Sequence, residues 1–169
     1  MLGMSLILTA GGNVRVTCKV TSAHFDFEIP DDEIWEHYTD AINRSFYSTL
    51  AMGIEAMCHG FCKARGGLVV SSSQGKPPQF MDYVNSGLRL STISDSRKPD
   101  WRAYFEAVRI LRNKCSYYDT LLTQVERDAL VRAGLSHHIG DSGHVWTNPT
   151  YSAPILTQVL AFVQEIDQI

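Results

Sequence analysis

The sequence predicts a mainly α-helical protein, an antiparallel bundle of four to five helices that follows a short N-terminal β hairpin or meander. Apolar residues recur at helical spacing along 32–64, 99–119 and 149–167, whereas extended patterns are confined to 1–30. An antiparallel bundle is the economical arrangement for that many amphipathic helices. The chain has 169 residues, 44% of them hydrophobic and 20% charged, which is the composition of one globular domain spanning 1–169.

The first 30 residues form a β-rich extension of the predicted bundle. Segments 5–9, 13–21 and 24–28 have an extended pattern, and the glycine pair at 11–12 is a turn signal between the first two. These segments predict a hairpin or a meander.

A long helical pattern from Asp32 to about Ala64 predicts either one continuous helix or two pieces divided near Asn43 or Gly53. Its apolar residues lie four positions apart and give a nearly continuous stripe. The following 66–98 segment is rich in Gly, Ser and Pro, which predicts a long loop with one short helix around 79–88. Loops of this length are often functional or mobile.

The helix from Pro99 to Asp119 is the element around which the rest of the chain is organised. Proline fits the first turn of a helix, and an apolar face follows, made of Trp101, Tyr104, Phe105, Val108, Leu111 and Cys115. Beside that face runs a polar stripe at i, i+3, i+4 and i+7, made of Arg109, Arg112, Asn113 and Ser116. A guanidinium against a core needs an acceptor. Arg112 therefore either holds helix ends and loop carbonyls together or clamps a phosphate, for which arginine is well suited.

Thr123 is the predicted N-cap of a helix over 124–133, because Glu126 completes a capping box with it. Gly134 is the expected end of that helix. A turn-rich connection with a small hairpin around 141–143 leads to a terminal helix that begins at Pro149 or Pro154.

Two groups of potential metal or proton-transfer residues have simpler interpretations. Cys58 and Cys62 share a helix face, but zinc needs two further ligands, so both are interpreted as buried apolar residues. The connection before the terminal helix contains His137, His138, Asp141 and His144. No motif links a nucleophile to these residues, and they are interpreted as solvated. No metal and no cofactor are predicted.

A net charge of −3 and a pI near 6.0 argue against an extended nucleic-acid surface but allow a local basic groove. The chain begins without a secretory signal and contains no apolar span of membrane length, so we expect a cytoplasmic protein with reduced thiols and no membrane partner.

The run from Arg109 to Asp119 resembles the signature of the HEPN superfamily, small helical bundles of prokaryotic toxin–antitoxin, abortive-infection and CRISPR-associated systems. That signature is an Arg, usually followed by Asn or another polar residue, and a His four to six residues later, near the end of a helix. The resemblance continues through Leu122, Thr123, Glu126, Leu130 and the closing helix 149–167, and it covers 99–169. The 1–30 extension is not part of the usual pattern, whereas 31–169 is compatible with it.

The resemblance implies a homodimer whose two motifs meet in a cleft and cut RNA without a metal ion. Arg112 matches the Arg that would hold the phosphate, and Asn113 matches its polar neighbour. Tyr117 stands in place of the His, so the catalytic set by resemblance is Arg112, Asn113 and Tyr117. The binding set around it is Arg109, Ser116, Tyr118 and Asp119. Because a phenol has a pKa of about 10, Tyr117 is poorly suited to the proton transfer that a His performs near neutrality.

Three hypotheses follow. The first is a HEPN-like protein with a degenerate ribonuclease motif that binds RNA, a nucleotide, an antitoxin or another protein. The second is an active metal-independent endoribonuclease with an atypical site. The third is a structural interaction bundle in which Arg112 satisfies buried carbonyls.

Overall fold

The computed structural model describes residues 3–8, 13–20, 23–116, 120–147 and 149–166. The protein is mainly helical, as predicted, with five α-helices in these ranges. The chain divides into two compact units, Met1–Ile42 and Asn43–Ile169.

The first unit contains three strands, β1 (Gly3–Leu8), β2 (Asn13–Val20) and β3 (Ala23–Pro30). They pair antiparallel in the order β1-β2-β3. Val16 at the centre of β2 is paired with Leu6 on one side and Phe27 on the other.

Five helices follow the strands: α1 (Asp31–Ala64), α2 (Phe80–Leu90), α3 (Lys98–Ser116), α4 (Gln124–Arg132) and α5 (Pro149–Ile166). The predicted short helix inside the long loop is confirmed as α2. The terminal helix begins at the first of its two candidate prolines, and Pro154 lies inside it.

Of the two alternatives for α1, a continuous helix or one divided near Asn43 or Gly53, the structure shows the continuous helix. A glycine inside a helix costs about 1 kcal/mol relative to alanine. That cost is small beside the stabilisation that the helix receives from burying apolar side chains such as Tyr47 and Ile54. A Cβ at Gly53 would meet nothing within 4 Å, so no neighbouring element requires the absence of a side chain there.

The capping box of α4 is confirmed. The Thr123 hydroxyl accepts from the backbone N–H of Glu126, and the Glu126 carboxylate accepts from the backbone N–H of Thr123 at 2.8 Å. Gly134 follows the end of the helix with φ of 74°, the left-handed conformation that glycine adopts without strain. The predicted hairpin is also confirmed, because Ile139 bridges Val145 across the 141–143 turn.

The core of the second unit is built on α3. Trp101 and Phe105 are both buried and contact Phe162 of α5, with the Phe105 and Phe162 ring centroids 4.6 Å apart. The indole N–H of Trp101 donates to the Glu165 carboxylate at 2.9 Å. The predicted apolar face of α3 is therefore buried, and the polar stripe lies at its edge.

Within the described ranges, no helix combines the length and the apolar character needed to cross a bilayer.

Candidate functional site

The polar stripe lies in the last three turns of α3. Arg109, Arg112 and Asn113 are half-buried there, and Ser116 is exposed at the end of the helix. Val108, Leu111 and Cys115 on the adjoining face are buried. The stripe thus follows the boundary between the core and solvent, as its spacing predicts.

Two of the three cations at this end of α3 are paired. The Arg109 guanidinium donates to Glu106 through Nε at 2.9 Å and through Nη2 at 2.5 Å. Hydrogen bonding to Glu106 raises the pKa of Arg109 above its ordinary value. Lys114 donates to the Leu121 carbonyl at 2.7 Å and lies 3.2 Å from the Glu126 carboxylate.

The third cation, Arg112, is different. Within the described part of the chain, its half-buried guanidinium makes no hydrogen bond and no ion pair, and the Asn113 amide likewise has no side-chain partner. A helix C-terminus carries partial negative charge, so a cation in this turn is stabilised even without a counter-ion. All five N–H donors of Arg112 are therefore unused by the described residues.

A residue of α1 extends the stripe. The hydroxyls of Ser48 and Ser116 lie 3.2 Å apart, which fixes the end of α3 against the middle of α1. No local spacing in the sequence links positions 68 residues apart. This neighbour could not be identified without the structure.

Three of the predicted site residues, Tyr117, Tyr118 and Asp119, lie outside the described residues. The roles assigned to them by resemblance stay predictions.

Behind the stripe, on the buried side, Tyr47 of α1 contacts His138. The Tyr47 hydroxyl lies 3.2 Å from His138 Nδ1, and that nitrogen is also 3.2 Å from the Trp146 carbonyl oxygen. A carbonyl can only accept, so the contact places the imidazole proton on Nδ1. Burial lowers the pKa of His138 to about 4 and raises the pKa of Tyr47. Neither group is suited to proton transfer near neutral pH.

The histidine-rich connection does not form one site. His138 is fully buried, which makes the prediction of a solvated side chain wrong for this residue. His137 packs its half-buried ring on Tyr151, whereas His144 is exposed and bonded to Thr120 at 3.0 Å. Asp141 is exposed in the turn.

Cys58 and Cys62 are buried, as interpreted from the sequence. Cys58 lies against Gly87 of α2, where an added Cβ would come within 3.3 Å of the sulfur. In the ranges that the structure describes, no three His, Cys, Asp or Glu side chains are grouped to hold a metal ion.

Comparisons of the chain with protein-family models, with curated proteins and with solved structures find no match.

Proposed function

We propose that this chain is a HEPN-like helical protein of the prokaryotic defence or toxin–antitoxin type that binds RNA phosphates through Arg112. In this proposal the helices form an antiparallel bundle with an N-terminal β hairpin. Two copies in the cytoplasm bring their Arg112 side chains together, and an antitoxin or another protein is the further partner. The ribonuclease motif is degenerate because Tyr117 replaces its His.

The observation that carries the proposal is the absence of any intramolecular partner for Arg112 among the described residues. An arginine kept to satisfy buried carbonyls would donate hydrogen bonds to them. On the same helix end, Arg109 donates to the Glu106 carboxylate and Lys114 donates to the Leu121 carbonyl. The contrast favours a ligand over a structural role for Arg112.

The charges around Arg112 favour an anion as that ligand. Glu106 is occupied by Arg109, and Glu126 is occupied by Lys114 and the N-cap of α4. Among the described residues at this end of the helix, three cations thus stand against two carboxylates, a formal excess of one positive charge. A guanidinium with free donors binds a phosphate through two parallel hydrogen bonds.

Among phosphate-bearing ligands, the resemblance favours RNA. The Tyr at position 117 favours binding of the RNA over its cleavage. An ordinary phenol is almost entirely protonated at pH 7, so it donates a hydrogen bond but is a poor general base. Tyr117 is therefore assigned to phosphate binding beside Arg112 and Asn113.

Incubation of a labelled mixed RNA pool with the purified chain in EDTA tests this proposal, because EDTA disables contaminating metal-dependent nucleases. We expect the RNA to stay intact and to be retained by the wild type but not by Arg112→Ala. Cleavage that disappears in Arg112→Ala would instead establish an active endoribonuclease. A folded wild type that neither binds nor cleaves RNA would overturn the proposal and leave an interaction bundle.

A further inference from the structure

A second candidate site, well separated from the motif, lies at the opposite end of α3. It is a cleft of about 560 Å³ between the loop that precedes α2, α2 itself and the first turns of α3. Its cations are Arg89, Lys98 and Arg102, and Ser71, Ser72 and Asn85 add hydroxyl and amide groups. We call it the basic cleft. Arg102 precedes Arg112 by ten residues, or about 15 Å along the helix axis.

The loop wall of the basic cleft is fixed by buried side chains of α2. The Val70 backbone N–H donates to the Ser86 hydroxyl at 3.2 Å, and that of Ser72 donates to the Asp82 carboxylate at 3.0 Å. The other Asp82 oxygen accepts from the Gln79 N–H at 2.8 Å. Asp82 and Ser86 are only 5% and 4% exposed, so the wall is preformed.

The cations of the basic cleft are oriented but keep free donors. Arg102 donates through Nε to the Asn85 amide oxygen at 2.8 Å, and Arg89 donates one N–H to the Leu68 carbonyl at 3.3 Å. Each guanidinium has five N–H groups, so most of them remain available to a ligand. Lys98 lies 2.9 Å from Asp95, but that carboxylate is 96% exposed and its attraction is screened by water.

The lining of the basic cleft carries a net positive charge. Asp82 is the acidic residue in its lining, against three cations, which leaves a formal charge of +2. Both Asp82 oxygens already accept backbone hydrogen bonds, and the one from Gln79 is the main cause of the lowered pKa of this carboxyl. The Asp82 carboxylate is therefore hydrogen-bonded to backbone N–H groups of the loop and does not pair with the cations of the cleft.

We infer that the basic cleft binds the phosphate group of a small phosphorylated molecule of nucleotide size. Its volume is in the range of ligand pockets, and oriented arginines on both α2 and α3 match the oxygens of a phosphate. The exposed side chain of Val70 gives part of the lining an apolar surface for the rest of the ligand. This inference goes beyond the proposed function, because none of these groups belongs to the Arg112 stripe.

Calorimetric titration of the full chain with AMP and with adenosine at low salt tests the inference, since the two probes differ only in the phosphate. We expect AMP to bind and adenosine to bind at least about tenfold more weakly. Arg102→Gln and Arg89→Gln should each weaken AMP binding by about tenfold or more, the usual effect of losing a charge-assisted hydrogen bond. Both arginines are exposed, so these variants should fold normally, which circular dichroism checks.

One control variant makes the result specific. Arg132→Gln removes an equal charge from an exposed position on α4 outside the cleft and should bind AMP as the wild type does. Weakening by Arg102→Gln and Arg89→Gln places the bound phosphate in the basic cleft, independently of the outcome of the RNA experiment on Arg112. Absence of AMP binding at millimolar concentration, equal affinity for adenosine, or equal weakening by Arg132→Gln would overturn the inference.

Discussion

The Tyr47 hydroxyl lies 3.2 Å from Nδ1 of His138, a buried contact between residues that are 91 positions apart. The same nitrogen lies 3.2 Å from the Trp146 carbonyl oxygen, so the neutral imidazole connects α1 with the hairpin before α5. Because the ring is fully buried, protonation would place an unsolvated charge in the core.

This contact predicts a loss of stability in mild acid. Burial lowers the pKa of His138 from 6.5 to about 4 in the folded protein, so between those values the unfolded chain binds more protons. The free energy of unfolding that depends on neutral His138 is therefore fully present above pH 6.5 and is lost as the pH falls toward 4. The difference between the two pKa values corresponds to about 3 kcal/mol. Urea unfolding at a series of pH values measures it.

The matched variants for that series are His138→Gln and His59→Gln. His138→Gln should flatten the pH dependence between 6.5 and 4, even if it lowers stability at every pH. His59 is exposed, and its replacement should leave the pH dependence as it is in the wild type. An unchanged slope in a folded His138→Gln variant would show that another group is responsible.

A glycine in the hairpin is predicted to be required for two reasons. Gly143 has φ of 78°, and a Cβ there would overlap the Arg127 guanidinium. Gly143→Ala should therefore lower the free energy of unfolding by roughly 1–2 kcal/mol, the cost of a left-handed alanine. The added Cβ should also displace the guanidinium, the flexible end of the Arg127 side chain, from its contact with the Leu122 carbonyl. Gly134→Ala is the control, because its φ of 74° is similar and nothing lies within 4 Å of the added atom. Thermal unfolding should show a larger loss for Gly143→Ala, and equal losses would exclude a contribution from Arg127.

The capping box predicts a local stability effect at α4. Thr123→Ala should lower the free energy of unfolding by about 1 kcal/mol, since a backbone N–H of the first turn loses its acceptor. Thr123→Ser keeps the hydroxyl and should retain most of that stability. Denaturant titration of the three proteins measures the difference, and equal stability of all three would show that the cap contributes nothing.

Tyr117→His tests whether the motif is degenerate for the reason proposed. The substitution restores a side chain that titrates near neutral pH at the position where the resemblance places it. We expect metal-independent RNA cleavage to appear in this variant and to be abolished again in the Arg112→Ala/Tyr117→His double variant. A well-folded Tyr117→His protein that binds RNA without cutting it would contradict the assignment of the His position.

The elements predicted best from the sequence are those specified by neighbouring residues. The apolar spacing of α3, the Thr123–Glu126 box and Gly134 act within one or two turns, and the structure confirms them. The sequence leaves the continuity of α1 through Gly53 open, because the burial that outweighs a glycine, such as that of Tyr47 and Ile54, depends on distant parts of the chain.

The surroundings of the functional residues were less predictable, because they depend on distant parts of the chain. The sequence places Arg109 and Arg112 on one stripe. Only the structure shows that Arg109 is paired with Glu106, whereas Arg112 has no partner among the described residues. The sequence predicts a solvated His138, because nothing in its loop indicates that Tyr47 covers it.

The most direct test of the proposed function is the affinity of the chain for a labelled RNA oligonucleotide, measured by fluorescence anisotropy in EDTA. Arg112→Ala and Arg132→Ala carry the same change of charge, and neither side chain has a partner within the described residues. We predict that Arg112→Ala lowers the affinity by about tenfold or more, as expected for a lost charge-assisted hydrogen bond, and that Arg132→Ala leaves it nearly unchanged. Equal affinities of wild type and a folded Arg112→Ala variant would contradict the proposal that Arg112 binds RNA phosphates.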